Sequence, residues 1–117
     1  MNIALDYDST YTLDTLFWDG FIEKSLAEGH DIRVVTARHN VYDRTAPIAE
    51  LESFVPVVYC CGAAKRWWVE HYCDGWIPHI WIDDRPESVF KNSELDPEGL
   101  LKWRLERGEG GPVPQFA

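Results

Sequence analysis

Two pairs of acidic residues follow short apolar runs in this sequence. Asp6 and Asp8 come directly after Ile3-Ala4-Leu5. Asp83 and Asp84 come directly after Ile80-Trp81-Ile82. Carboxylates at the end of a buried strand are costly unless a cation or a proton offsets their charge. The two acidic strand ends therefore indicate one shared site that contains a metal ion or a reactive carboxylate.

Strand-like and helix-like segments alternate along the chain. The hydrophobic spacing and the cap residues predict strands over Asn2–Asp6, Asp31–Thr36, Val55–Cys61 and His79–Asp83, and helices over Thr15–Glu28, Ala46–Ser53, Ala64–Cys73 and Pro97–Glu106. Such alternation is typical of βαβ units. We expect an α/β fold: a three-layer, Rossmann-like sandwich with a small, mainly parallel sheet of about four strands in the order 4-1-2-3. Residues 1–107 would form this core, and the Gly- and Pro-rich residues 108–117 a flexible tail.

In parallel α/β sheets the functional site lies at the carboxyl ends of the strands. Asp6, Thr36 and Asp83 each stand where an apolar run ends, so they are expected at one edge of the sheet. Lys65 is expected to open the helix after the third strand, at the same edge. These four positions define the candidate site.

The ordered motifs of this site resemble those of the haloacid dehalogenase-like (HAD) superfamily of phosphohydrolases. They are IALDYDSTYT, RVVTAR, AAKRWW and IWIDDRPE, and they correspond to a strand ending in DxDx(T/V), a strand ending in Thr or Ser, a Lys near a helix start, and a strand ending in paired acids. The resemblance covers residues 2–90. It implies a Mg²⁺-dependent phosphomonoester hydrolase with an aspartyl-phosphate intermediate.

The resemblance also implies a role for each matching residue. Asp6 would be the nucleophile, and Asp8 the general acid and then the base. Thr36 would donate its hydroxyl group to a phosphoryl oxygen, and Lys65 would neutralise the nucleophile and the phosphoryl group. The Mg²⁺ ligands would be Asp6, the main-chain carbonyl of Asp8, and Asp83 and Asp84. We favour Asp83 as the direct ligand of that last pair, because it continues the strand register.

Neither residues 11–35 nor residues 37–64 leave room for an inserted cap domain, so we expect a small, capless type with an open site. Three residues beside the motifs are candidates for substrate contact: Thr10, which would support the turn that places Asp8, Tyr11 and Arg38. Tyr11 could stack on a base or a sugar, although core packing is the commoner role of an aromatic side chain. Arg38 could bind a second phosphate or form a solvated salt bridge.

Composition limits the other classes of function. The chain has 117 residues and a formal net charge of −9, which argues against an extended nucleic-acid groove. It contains no apolar stretch long enough for a membrane span and no visible secretory signal, so we expect a cytoplasmic protein. Its three cysteines, Cys60, Cys61 and Cys73, fit neither a disulfide framework nor zinc spacing. The expected partner is a phosphorylated small molecule, such as a nucleotide or a sugar phosphate, or a nucleic-acid end; a homo-oligomer is possible.

Two alternatives to an enzyme remain at this point. The chain could be a non-catalytic binding module with a HAD fold, because a fold does not imply a function. It could also be a phospho-receiver-like domain, since receivers use paired acids, a phosphorylated Asp, Thr or Ser, and Lys. In receivers the acid pair comes first along the chain, whereas here it comes last.

Overall fold

The computed structural model of the protein describes residues 1–92. Four strands occur, at β1 (Asn2–Leu5), β2 (Asp31–Thr36), β3 (Val57–Tyr59) and β4 (Ile80–Ile82), together with a 3₁₀ turn at Tyr11–Leu13. The helices are α1 (Thr15–Ala27), α2 (Ala46–Leu51), α3 (Lys65–Tyr72) and α4 (Glu87–Phe90). The predicted helix at Pro97–Glu106 and the predicted tail at 108–117 lie outside the described residues. Among the helices of residues 1–92, none has both the length and the hydropathy needed to cross a membrane.

The four strands form one sheet in which every pair is parallel. The order across the sheet is β3-β2-β1-β4, which has the same neighbours as 4-1-2-3 when it is read from the other edge. β1 therefore lies between β2 and β4. This position brings the ends of β1 and β4, with their acidic residues, next to each other.

Side chains from the sheet alternate between two hydrophobic clusters. Ile3 and Leu5 of β1 belong to one cluster, with Ile22 of α1 and Ile48 of α2. Ala4 belongs to the other cluster, with four residues of α3 and its C-terminal loop: Trp67, Trp68, Val69 and Trp76. Successive strand residues point to opposite faces of a sheet, so each face of β1 packs against different helices.

Three of the four strands are shorter than expected, and β2 has the predicted bounds, Asp31–Thr36. β3 spans only Val57–Tyr59 instead of residues 55–61, because Pro56 has no amide hydrogen to donate and Cys61 adopts a left-handed φ of 52°. β3 is an edge strand, as Pro56 predicts. Gly29 follows α1 with a φ of 86°, the conformation of a glycine that ends a helix. The three cysteines are free thiols, as expected.

Candidate active site

Three carboxylates meet at the carboxyl ends of the neighbouring strands β1 and β4. One oxygen atom each from Asp6, Asp83 and Asp84 lies within 4.8 Å of the other two. Asp6 is buried, Asp83 is half-buried and Asp84 is exposed. The fold thus joins the two acidic strand ends, and the cluster opens toward solvent on the Asp84 side.

Lys65 neutralises two of these acids. It is the first residue of α3, as expected, and only 2% of its surface is exposed. Its Nζ atom lies 2.7 Å from Asp6 Oδ1 and 2.6 Å from Asp83 Oδ2. A buried ammonium group of this kind needs paired charges, and the two acidic strand ends supply them.

Burial is the largest single influence on the pKa values of both Asp6 and Lys65, and neighbouring charges oppose it at each residue. Burial raises the pKa of Asp6 to about 6, although the adjacent Lys65 opposes the rise. Burial by itself would lower the pKa of Lys65, but Asp6 and Asp83 outweigh it and the pKa is raised. Lys65 is therefore an ammonium ion at neutral pH, and Asp6 titrates only slightly below neutrality.

Thr10 connects the two acidic strand ends. Its hydroxyl group donates to Asp6 Oδ2 at 3.0 Å and accepts from the main-chain amide of Asp84 at 3.3 Å. Thr10 and Asp6 are buried. Thr10 is predicted to contact substrate and to support the turn; its contacts fit the second role and leave the hydroxyl proton engaged with Asp6.

The two acids after β4 have different surroundings. Asp83 accepts from Lys65, from the main-chain amide of Arg85 at 2.9 Å and from the Ser88 hydroxyl at 3.1 Å. The Asp84 carboxylate accepts a hydrogen bond from the Thr10 hydroxyl, at 3.4 Å, and lies beside the Asp6 carboxyl group. Asp84 therefore has more oxygen lone pairs without a hydrogen bond than Asp83. By this criterion Asp84 is better placed to bind a metal ion directly, whereas the strand register favours Asp83.

Asp8 lies outside this cluster because Arg38 binds both of its carboxylate oxygens. Arg38 Nε is 2.9 Å from Asp8 Oδ2, and Arg38 Nη2 is 2.8 Å from Asp8 Oδ1. Arg38 Nη1 donates to the Asp43 carbonyl and the Thr45 hydroxyl, and the guanidinium lies 4.9 Å from the centre of the Tyr7 ring. Arg38 therefore forms a salt bridge, which is one of its two expected roles, and contact with a substrate phosphate stays a prediction.

The hydroxyl groups of Tyr11 and Thr36 both have partners within the protein. Tyr11 is buried, stacks on Tyr7 at 5.6 Å and donates its hydroxyl group to Asp19 at 2.6 Å. These contacts agree with core packing, the commoner of its two expected roles, and stacking on substrate stays a prediction. Thr36 is fully buried, and its hydroxyl accepts from the Arg38 amide at 3.2 Å. The structure brings Thr36 to the correct edge of the sheet without exposing its hydroxyl group.

A cleft of about 600 Å³ opens above the acids. Its wall includes Asp6, Asp8, Lys65, Asp83 and Asp84. The remaining lining is small or polar, and comprises Ser9, Ala37, Gly62, Ala63, Arg85, Glu87, Ser88, Lys91 and Asn92. A larger groove of about 850 Å³ beside β3 and the end of α3 contains none of these acids, so the candidate site lies in the smaller cleft.

Two contacts at the site escaped the sequence analysis. The hydroxyl group of Ser88, five residues after Asp83, donates to the Asp83 carboxylate. The Asn92 side chain accepts a hydrogen bond from the Ala64 amide at 2.9 Å, just before α3. The Asp83–Ser88 contact has a local signal, because Asp side chains often bind groups in the turn that follows them. The Asn92–Ala64 contact spans distant parts of the chain and has no local signal.

No model of a known protein family matches this chain, and neither a curated protein nor a solved structure does. The geometry of the site is therefore the basis for any functional conclusion.

Proposed function

We propose that this protein is a phosphomonoester hydrolase that works through an aspartyl-phosphate intermediate, as the resemblance to the HAD superfamily implies. The observation that carries the proposal is the ion-paired Asp6–Lys65–Asp83 triad, with Asp84 beside it, in the wall of the cleft of about 600 Å³. A carboxylate can approach a phosphate only where cations offset the repulsion, and Lys65 supplies one positive charge at this point. The proposal includes the three-layer, Rossmann-like form of the fold, which the two clusters on opposite faces of the sheet support.

The second cation in this proposal is Mg²⁺. Magnesium prefers oxygen ligands and retains several waters, and the cluster offers three carboxylates with Asp84 the least engaged. Asp6 and Asp84 would bind the ion directly with the main-chain carbonyl of Asp8, and Asp83 would support them. When bound, Mg²⁺ would neutralise charge on the transferred phosphoryl group.

The reaction then proceeds in two steps: transfer of the phosphoryl group to Asp6, and hydrolysis of the resulting acyl phosphate. An oxygen of Asp6 attacks phosphorus and forms an acyl phosphate, while the bond from phosphorus to the leaving oxygen breaks and Asp8 gives that oxygen a proton. Water then attacks the same phosphorus, Asp8 takes the proton of that water, and the bond to Asp6 breaks. The products are an alcohol and inorganic phosphate, and both aspartates return to their starting state.

The salt bridge between Asp8 and Arg38 sets a condition on this mechanism. Both oxygens of Asp8 accept hydrogen bonds from Arg38, so Asp8 must leave Arg38 and take up a proton from solvent before it can give a proton to a leaving group. The Asp8 side chain is 52% exposed, so water can hydrogen-bond to its carboxylate when the pair opens. Substrate binding would favour the open arrangement.

The experiment that tests the proposal measures hydrolysis of a generic aryl phosphate with and without Mg²⁺. Wild type should show magnesium-dependent turnover, and Asp6→Asn should abolish it because the amide is a poor nucleophile. Asp14→Asn is the matched control: it makes the same chemical change at an exposed helix N-cap, where Asn caps as well as Asp. It should retain full activity.

A second measurement covers the case of a strict substrate requirement. Beryllium fluoride with Mg²⁺ mimics a phosphoryl group on the nucleophilic aspartate, so wild type should bind it and Asp6→Asn should not. Absence of both turnover and beryllium fluoride binding in wild type would overturn the proposal and favour a non-catalytic binding module.

A further inference from the structure

The guanidinium group of Arg38 has contacts that do not depend on Asp8. Its Nη1 atom donates to the Asp43 carbonyl at 3.0 Å and to the Thr45 hydroxyl at 3.2 Å. Its central carbon atom, Cζ, lies 4.9 Å from the centre of the Tyr7 ring, which is a cation–π contact with a buried tyrosine. These contacts would keep the guanidinium group in place if Asp8 moved away from it.

Asp8 is the more exposed partner of this salt bridge. It stands in the turn after β1, and its side chain is 52% exposed, compared with 24% for Arg38. The proposed mechanism requires Asp8 to turn toward the leaving group. That movement would take from Nε and Nη2 of Arg38 the acceptors that they now have at 2.9 and 2.8 Å. The arginine would then need another acceptor, because all of its side-chain polar groups are donors.

The position that Asp8 would vacate lies at the acidic cleft. Asp8 lines this cleft, and so does Ala37, the residue directly before Arg38. The paired N–H groups of an arginine match two oxygens of a carboxylate or of a phosphate. The donors that now bind Asp8 are therefore suited to an anionic group of a molecule in the cleft.

We propose that Arg38 binds a second anionic group of the substrate, a phosphate or a carboxylate, at the position of the Asp8 carboxylate. This inference rests on the proposed function, because it assigns the scissile phosphate to the Asp6–Lys65 end of the cleft. A second group on a molecule that is already bound there competes with Asp8 at a high effective concentration. The exchange of partners frees the Asp8 carboxylate for the leaving group. The substrate class is therefore a phosphomonoester that carries a second phosphate or a carboxylate.

Anion binding by Arg38 can be tested without turnover. Asp8→Ala removes the carboxylate that now occupies Nε and Nη2 of Arg38. Calorimetric titration of the full chain with inorganic phosphate, in the presence of a chelator, should give a Kd at least about tenfold lower for this variant than for wild type, which is the effect of one added charge-assisted hydrogen bond. In the Asp8→Ala background, Arg38→Met should remove this gain. Arg85→Met is the matched control: it makes the same charge change in the cleft wall, at an exposed arginine that pairs with Glu87, and it should retain the gain.

The outcomes of this titration separate the possible ligands. Equal Kd values for wild type and Asp8→Ala, or equal losses in the two double variants, would overturn the proposal. Acetate in place of phosphate distinguishes the two kinds of anionic group. A lower Kd for phosphate assigns the second group as a phosphate, and a lower Kd for acetate assigns it as a carboxylate.

A second measurement leaves Arg38 unchanged, because Arg38→Met also removes the contacts with Asp43 and Thr45. In the NMR spectrum of Asp8→Ala, the Nε–H signal of Arg38 should shift as phosphate is added, with the Kd that calorimetry gives. The Nε–H signal of Arg85 should stay in place. A constant Arg38 signal would contradict the proposal even if the Arg38→Met variant failed to fold.

Turnover tests the substrate class. Alkanediol bisphosphates of increasing chain length would be compared with the matching monophosphates, and the best bisphosphate should have a kcat/KM at least about tenfold higher than its monophosphate. Arg38→Met should bring this ratio close to one, whereas Arg85→Met should preserve it. Equal ratios in the two variants would refute the assignment to Arg38. If no phosphate ester is hydrolysed, the proposed function fails while the phosphate titration still decides whether Arg38 binds an anion, so the two failures are distinguishable.

Discussion

At the scale of single residues, the most consequential feature is the burial of Asp6. The residue is only 7% exposed, and burial raises its pKa to about 6 in spite of Lys65. A carboxyl group whose pKa is higher in the folded than in the unfolded state destabilises the fold once the pH exceeds both values. Burial of the ionised Asp6 carboxylate therefore destabilises the protein at neutral pH, at the residue to which we assign the nucleophilic role.

We predict that Asp6→Asn stabilises the protein in the absence of divalent cations. The folded state binds more protons than the unfolded state between pH 3.8 and about 6, so the ionised group lowers stability as the pH rises through this window. The rise in the pKa of Asp6 from 3.8 to about 6 corresponds to a loss of stability of about 3 kcal/mol at pH 8, as an upper bound. Urea unfolding with a chelator should show the variant to be more stable at pH 8, with the gain shrinking toward pH 4. A gain that is constant with pH, or a loss at pH 8, would contradict this cause.

Lys65 has the opposite effect on stability. Lys65→Met would leave Asp6 and Asp83 buried beside each other without their ammonium partner, which costs about 3–5 kcal/mol in comparable buried pairs. Urea unfolding should show the loss to be larger at pH 8 than at pH 5, because protonation of Asp6 relieves the repulsion. Lys24→Met changes an exposed side chain and serves as the control. The double variant Lys65→Met/Asp6→Asn should recover part of the loss, and strict additivity would argue against direct coupling.

At the scale of elements, α1 shows what periodicity can and cannot predict. The i, i+3, i+4 spacing places Ile22, Ser25 and Leu26 on one face of the helix. Ile22 and Ser25 are buried, whereas Leu26 is 42% exposed. Leu16 and Phe17 are apolar and exposed, so apolar residues occur on both sides of the helix. When both sides are apolar, the spacing fixes the helix but not which side faces the core.

Two glycines at α1 should respond in opposite directions to the same substitution. A Cβ at Gly20 would have no heavy atom within 4 Å, and alanine favours a helix interior by about 1 kcal/mol over glycine. Gly20→Ala should therefore raise the free energy of unfolding by about 0.5–1 kcal/mol. Gly29 has a φ of 86°, which alanine adopts only with strain, so Gly29→Ala should lower it by a similar amount. Thermal unfolding of both variants checks the contrast, and the same sign in both would refute it.

The loop after β2 shows why the sequence could not decide between the two expected roles of Arg38. Arg38 stands two positions beyond Thr36, where a phosphate contact is a reasonable expectation. Its actual partners are Asp8, Asp43 and Thr45. The choice between a substrate and a carboxylate from another loop depends on tertiary geometry, because an arginine fork fits both equally well.

At the scale of the whole molecule, the sequence predicts the meeting of Asp6, Lys65 and Asp83 because topology determines it. The carboxyl ends of parallel strands share one edge, and β1 and β4 are neighbours in the sheet. A hydrophobic pattern alone is enough to locate those strand ends. The shorter extents of β3 and β4 depend on local backbone geometry and on pairing, which the pattern does not contain.

The net charge of −9 gives any cation two ways to stabilise this protein: it can screen the overall repulsion, or it can bind at the carboxylate cluster. Screening is the same for all cations of equal charge, whereas binding at the cluster depends on which cation is added and on which acid is present. We predict that Mg²⁺ stabilises wild type beyond choline chloride at equal ionic strength, by about 2.7 kcal/mol when its concentration is a hundredfold above Kd. Asp84→Asn should remove this excess, because it takes away the least engaged ligand. Asp74→Asn makes the same charge change at an exposed position outside the cleft, at a left-handed φ of 49° that Asn tolerates, and it should retain the excess. Equal loss in both variants, measured by thermal unfolding, would show that magnesium acts on net charge rather than at the cluster.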